Sequence, residues 1–165
     1  MQIIALNGLT IKPAVDGRIG SYLPGSVEVY RWNWRAKDVC WTRWTIFTEI
    51  GSEPYILVGF SDGGTMAHRV AHLDNRCIGL VVHSGLRASI PRIRDIPTLL
   101  VTTNGDRTGC RQATEDMYDR YTGYVTNLTL AGVPFTRPHS WYERLLKHQF
   151  HNASGLINDW IALNY

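Results

Sequence analysis

Two stretches of the chain are almost wholly apolar and no longer than a strand: Tyr55-Ile56-Leu57-Val58-Gly59 and Ile78-Gly79-Leu80-Val81-Val82. A strand with one wet face alternates apolar and polar residues, so a run without alternation reads as a strand covered on both faces. Sheets covered twice are typically parallel, because the crossover between parallel strands takes a helix that lies on a face. Further segments rich in β-branched and aliphatic residues, Gln2 to Leu6, Val27 to Trp32, Thr98 to Thr103 and Tyr124 to Leu130, bring the expected sheet to about six strands. Helical spacing of apolar positions predicts helices over Asp38 to Ile50, Gly64 to Leu73, Arg111 to Tyr121, Ser140 to His148 and Ala153 to Leu163. The pattern predicts an α/β fold: a three-layer sandwich around a central, mostly parallel sheet. With 165 residues, 44% of them hydrophobic, and no internal repeat or linker-like tract, the chain reads as a single domain over 1–165.

Composition narrows the function classes. The net charge of +3 is spread among residues of both signs, without a basic run or a recognisable DNA- or RNA-binding spacing, so no nucleic-acid partner is expected. No apolar stretch approaches the roughly 18 residues that span a bilayer, and the first residues lack the charged and apolar regions of a secretory signal. Cys40, Cys77 and Cys110 are odd in number and contain no Cys-x-x-Cys pair, which argues against a disulfide framework or a zinc site and for reduced thiols in a cytoplasm. His68 and His72 stand four residues apart on a predicted helix, but the glutamate of a zinc-binding His-Glu-x-x-His is missing. Neither a metal nor an organic cofactor is expected.

The stretch that carries chemistry is Gly59-Phe60-Ser61-Asp62-Gly63-Gly64, between the first apolar run and the predicted helix. It is a Gly-x-Ser-x-Gly at a strand-to-helix turn. A nucleophile presented on so sharp a turn needs small residues on both sides, since neighbouring backbone comes too close for a Cβ. The following helix turns its N-terminus toward the turn, where backbone N–H groups and the helix dipole stabilise negative charge. The amide of Asp62 is the natural first oxyanion donor.

On these residues the chain resembles the α/β-hydrolase superfamily, in particular its small, capless carboxylesterase and polyester-depolymerase-like members. The resemblance implies a minimal α/β-hydrolase fold and a triad in the order nucleophile, acid, histidine. Asn104-Gly105-Asp106, just past the strand ending at Thr103, looks like the acid loop and makes Asp106 the acid that holds the histidine ring. His139, in Pro138-His139-Ser140-Trp141, resembles the loop histidine, with His148 and His151 as alternatives. Leu6-Asn7-Gly8-Leu9 resembles the loop that donates the second oxyanion amide, which falls to Leu9. The sequence departs from the family at Asn7, where a histidine is usual, and at Pro138, where a glycine is usual.

The expected function is hydrolysis of carboxylic esters through an acyl-enzyme on Ser61. The short stretch from Ser84 to Pro97, where many relatives insert a cap, predicts an open site for a small-molecule ester or an exposed ester on a larger molecule. Two alternatives use the same scaffold: a non-catalytic binding protein, and a thioesterase or peptidase with the same triad. His83 reads as a strand residue. Trp32, Trp34, Trp41 and Trp44, with Arg31, Arg35 and Arg43, read first as aromatics packing a helix onto the sheet, and second as a substrate wall or partner surface.

Overall fold

The structure is a computed structural model that describes residues 1–8, 19–29, 31, 34–85, 89–90, 92–103, 110–133 and 143–165. Six strands form one sheet: β1 (Gln2–Leu6), β2 (Ser26–Val29), β3 (Tyr55–Phe60), β4 (Cys77–His83), β5 (Thr98–Thr103) and β6 (Leu128–Val133). Their order is β2-β1-β3-β4-β5-β6, and every pairing is parallel. The helices are α1 (Asp38–Ile50), α2 (Asp62–Leu73), α3 (Cys110–Tyr121) and α4 (Glu143–Asn164).

The period of two along each strand sorts side chains onto two faces. Ile4, Leu6, Tyr55, Leu57, Leu80, Val82 and Leu100 meet Ile46 of α1, Met66, Ala67, Val70 and Ala71 of α2, and Met117 and Tyr121 of α3. Their neighbours in sequence, Ala5, Ile56, Val58, Phe60, Val81, Leu99 and Val101, face the other way onto α4. There Ala153, Ile157, Trp160 and Ile161 recur at helical spacing and form one apolar stripe. All six residues of β3 are therefore buried, which is why that stretch carries no polar alternation. Each fully buried aliphatic side chain contributes about 1.5–3 kcal/mol.

Several boundaries depart from the sequence expectation by one to four residues, and three of the departures have a visible cause or extent. The sixth strand begins at Leu128 rather than Tyr124, because Tyr124 and Val125 still donate to the carbonyl of Tyr121. Thr126 is then held by Asp95, which accepts from both its amide and its hydroxyl at 2.8 Å. The two expected C-terminal helices are one: α4 runs through Asn152 and Gly155 without a break. Burial of its apolar stripe outweighs the roughly 1 kcal/mol that a glycine costs inside a helix. The second strand begins one residue early, at Ser26.

The tryptophans of α1 also differ from the first reading. The helix packs through Ile46, Thr42 and Asp38, whereas Trp44 is 63% and Trp41 37% exposed. Arg31 lies over the Trp41 ring, 4.6 Å from its centroid, and its Nε is 3.2 Å from the Asp38 carboxylate. Among the described residues, no helix is long and apolar enough to cross a membrane.

Candidate active site at the end of β3

Parallel strands put all their carboxyl ends on one edge of the sheet, and the interior strand β3 ends there at Phe60. Ser61 follows, with φ 53° and ψ −121°, and Asp62 opens α2. A positive φ is rare for a residue with a Cβ and costs on the order of 1–3 kcal/mol. The turn is held from both directions. The Ser61 amide donates to the carbonyl of His83 on β4 at 3.0 Å, and the Ser61 carbonyl accepts from the Thr65 amide at 3.0 Å.

The two flanking glycines are there for lack of space. A Cβ on Gly59 would lie 2.5 Å from the Gly63 carbonyl oxygen and 2.7 Å from Gly64 Cα. One on Gly63 would overlap the Leu6 carbonyl and lie 2.6 Å from that of Asn7. The start of α2 is thus pressed against both its own strand and the end of β1. Its first turn concentrates the partial positive charge of the helix N-terminus beside Ser61.

The segment after β1 reaches the same place. A Cβ on Gly8 would sit 3.0 Å from Ser61 Cβ and 3.1 Å from the Phe60 carbonyl oxygen. Asn7, 2% exposed, is held at its main chain and its side chain. Trp34 Nε1 donates to the Asn7 carbonyl at 2.7 Å, and Asn7 Nδ2 donates to Glu28 Oε1 at 3.1 Å. The same glutamate oxygen accepts the Gly20 amide at 2.9 Å.

Across β4 a second non-glycine residue has positive φ, Ser84 at 52°. Its amide donates to the Val101 carbonyl at 2.9 Å. Its hydroxyl is 3.3 Å from the hydroxyl of Thr103, which in turn lies 3.0 Å from His83 Nε2. Thr103 is the last residue of β5, so this buried cluster ties the end of β5 to the strand that holds Ser61.

His68 and His72 lie farther along α2, both buried. Both rings meet the Tyr121 hydroxyl, His68 through Nδ1 at 2.8 Å and His72 through Nε2 at 2.6 Å. The Arg94 amide donates to His72 Nδ1 at 3.2 Å, so a neutral His72 carries its proton on Nε2. The chain of donors then runs from His72 to Tyr121 and from Tyr121 to His68. Burial, reinforced by neighbouring cationic groups, pushes His68 down to about 3 and His72 down to about 4. Burial likewise pushes the Cys77 thiol up to about 12, so it is no thiolate at neutral pH.

No family model matches the sequence, and no curated protein matches it. Solved structures do. SOBER1 from Arabidopsis thaliana is 15% identical, with 98% of this chain and 99% of that one covered and a TM-score of 0.66. The monoacylglycerol lipase of Paleococcus ferrophilus is 12% identical over 93% and 94%, with a TM-score of 0.64. The esterase domain of a Rhodothermus marinus protein is 10% identical over 96% and 85%, with a TM-score of 0.68. In each case the match covers more than nine-tenths of this chain.

The chain has the α/β-hydrolase fold.

Within the α/β-hydrolase fold Ser61 occupies the turn between β3 and α2 and Asp62 is the first residue of α2, where the sequence expected a strand-to-helix bend. Leu9, Asp106 and His139 lie outside the described residues, and the alternative histidines His148 and His151 fall on α4. Sequence reasoning missed Trp34, Glu28 and Asn7 as a connected group, as well as Ser84 and Thr103. These contacts join distant segments, and no spacing within any one of them announces the partner.

Proposed function

We propose that the protein is a serine hydrolase that cleaves carboxylic esters, with Ser61 as nucleophile, Asp106 and His139 completing the triad, and the amides of Leu9 and Asp62 receiving the oxyanion. The observation that carries this reading is the strained Ser61 turn between Gly59 and Gly63, set on the carboxyl edge of an α/β-hydrolase sheet. The topology supports the partners: the segments after Thr103 and Val133, where Asp106 and His139 occur in sequence, leave the same edge as Ser61.

In this mechanism the imidazole of His139 takes the proton of Ser61 as Oγ attacks the ester carbonyl. The carbonyl oxygen becomes an oxyanion held by two backbone N–H groups. The C–O bond to the leaving alcohol breaks as the imidazolium returns the proton to it. Water then attacks the acyl-serine, giving its proton to the same ring, and the acid leaves as Ser61 recovers its hydrogen. Asp106 accepts from the ring throughout and stabilises its charged form. The short stretch from Ser84 to Pro97 supports an open site, one that takes small-molecule esters or exposed esters on larger molecules. Free Cys40, Cys77 and Cys110 suit a reducing, cytoplasmic setting.

The test is a fluorophosphonate probe with mass-spectrometric mapping, alongside turnover of short p-nitrophenyl esters, thioesters and amides. Label on Ser61 and ester turnover that Ser61→Ala removes are the expected results. A folded protein that takes no label and turns over no ester would sink the proposal, leaving a binding role on a hydrolase scaffold.

A further inference from the structure

We propose that Trp34 and Glu28 are positioning residues that set the distance between the Asn7-Gly8 segment and Ser61; the inference rests on the hydrolase reading above. Asn7 is gripped at two separate points. Its carbonyl receives the Trp34 indole N–H at 2.7 Å, and its side-chain amide reaches Glu28 at 3.1 Å. Glu28 is itself anchored, because the oxygen that takes Asn7 also takes the Gly20 amide. The space around it is small: a Cβ on Gly20 would come within 2.5 Å of Glu28 Cγ.

The opposite side of the segment is closed by the nucleophile turn. Gly63 abuts the carbonyls of Leu6 and Asn7, and a Cβ on Gly8 would be tightly placed, 3.0 Å from Ser61 Cβ and 3.1 Å from the Phe60 carbonyl oxygen. The end of β1 is therefore clamped between the Trp34 and Glu28 contacts outside and the turn inside. Release of the outer contacts frees the segment to move outward, away from the turn that it abuts. The arrangement also gives Asn7 a purpose where the superfamily usually has a histidine. An amide side chain supplies the donor that Glu28 takes, and it leaves the Asn7 carbonyl for the Trp34 indole. Both residues act through Asn7, so their effect falls on the chemical step more than on substrate binding.

The experiment measures the second-order rate of fluorophosphonate labelling, kcat and KM for a p-nitrophenyl ester, and the thermal midpoint. Trp34→Phe keeps the aromatic bulk and removes the N–H, and Glu28→Ala removes the acceptor. Each is expected to lower kcat and the labelling rate roughly 10- to 100-fold, the range that follows from a misplacement of about 1 Å, with KM little changed. Glu28→Gln retains an acceptor oxygen and is expected to recover most of the rate. A wild type that takes label, with Trp34→Phe and Glu28→Ala labelled just as fast, overturns this inference alone. A Glu28→Gln variant as slow as Glu28→Ala does the same. A wild type that takes no label overturns the hydrolase reading and this inference with it. Should Glu28→Ala fail to fold, Trp34→Phe decides.

Discussion

The backbone amide of Ser61 donates to the carbonyl of His83 at 3.0 Å, so the turn is tied to β4 before α2 begins. That bond holds a residue with a Cβ at φ 53°, a conformation that glycine adopts without penalty. Ser61→Gly and Ser61→Ala both remove the hydroxyl and differ only in the Cβ. The glycine variant is expected to be the more stable by about 1 kcal/mol in urea unfolding, although glycine usually costs stability elsewhere. Equal stabilities would mean that the turn is unstrained.

Gly63 offers the opposite test, since a Cβ there meets the Leu6 and Asn7 carbonyls rather than a movable side chain. Gly63→Ala must push α2 away from β1. A loss of about 3 kcal/mol is expected in urea unfolding at neutral pH, with slower fluorophosphonate labelling as the turn shifts.

Tyr121→Phe leaves both histidines in place and removes the hydroxyl between them. One buried donor, on His72, and one buried acceptor, on His68, then lose their partner. At about 1–3 kcal/mol for each, the expected cost is about 2–6 kcal/mol at pH 7, measured by urea unfolding.

The same histidines predict the response to acid. Their folded values, about 3 for His68 and about 4 for His72, lie below the ordinary 6.5, so below that pH the unfolded chain binds protons that the native state refuses. Their contribution is complete above about pH 6.5 and is lost as the pH falls toward 4 and then 3. Each imidazole adds at most about 1.4 kcal/mol per pH unit to the slope. His68→Asn keeps an acceptor near Nδ1 and removes one titrating group. Its stability curve between pH 6 and 4 should be shallower than that of the wild type by about that amount.

Much of the architecture was legible because its cause is local. The buried runs of β3 and β4 read directly as doubly covered strands, and the ends of α1 coincide with the expected Asp38 and Ile50. The start of β6 was not legible, since Thr126 is claimed by Asp95, thirty-one positions away. The continuity of α4 was hidden because burial on the sheet, and not propensity around Asn152 and Gly155, carries the helix through. In the candidate site, the motif around Ser61 located the bend, because close approach leaves a signature of glycines. The clamp on Asn7 leaves none: an indole and a carboxylate at unrelated positions meet only once the sheet is assembled. For the same reason the outward Trp44 could not be told from a packing tryptophan by composition.

The strand order has a consequence for how the molecule reaches its final shape. β1 lies between β2 and β3, and residues as distant in sequence as Leu6 and Gly59 are ladder partners. A long loop must close before that pairing returns any energy, which makes acquisition of the native state slow compared with a helical bundle. The turn at Ser61 draws on β1, β3 and β4 together, so a nascent or partly refolded chain forms its helices well before that turn is locked in place.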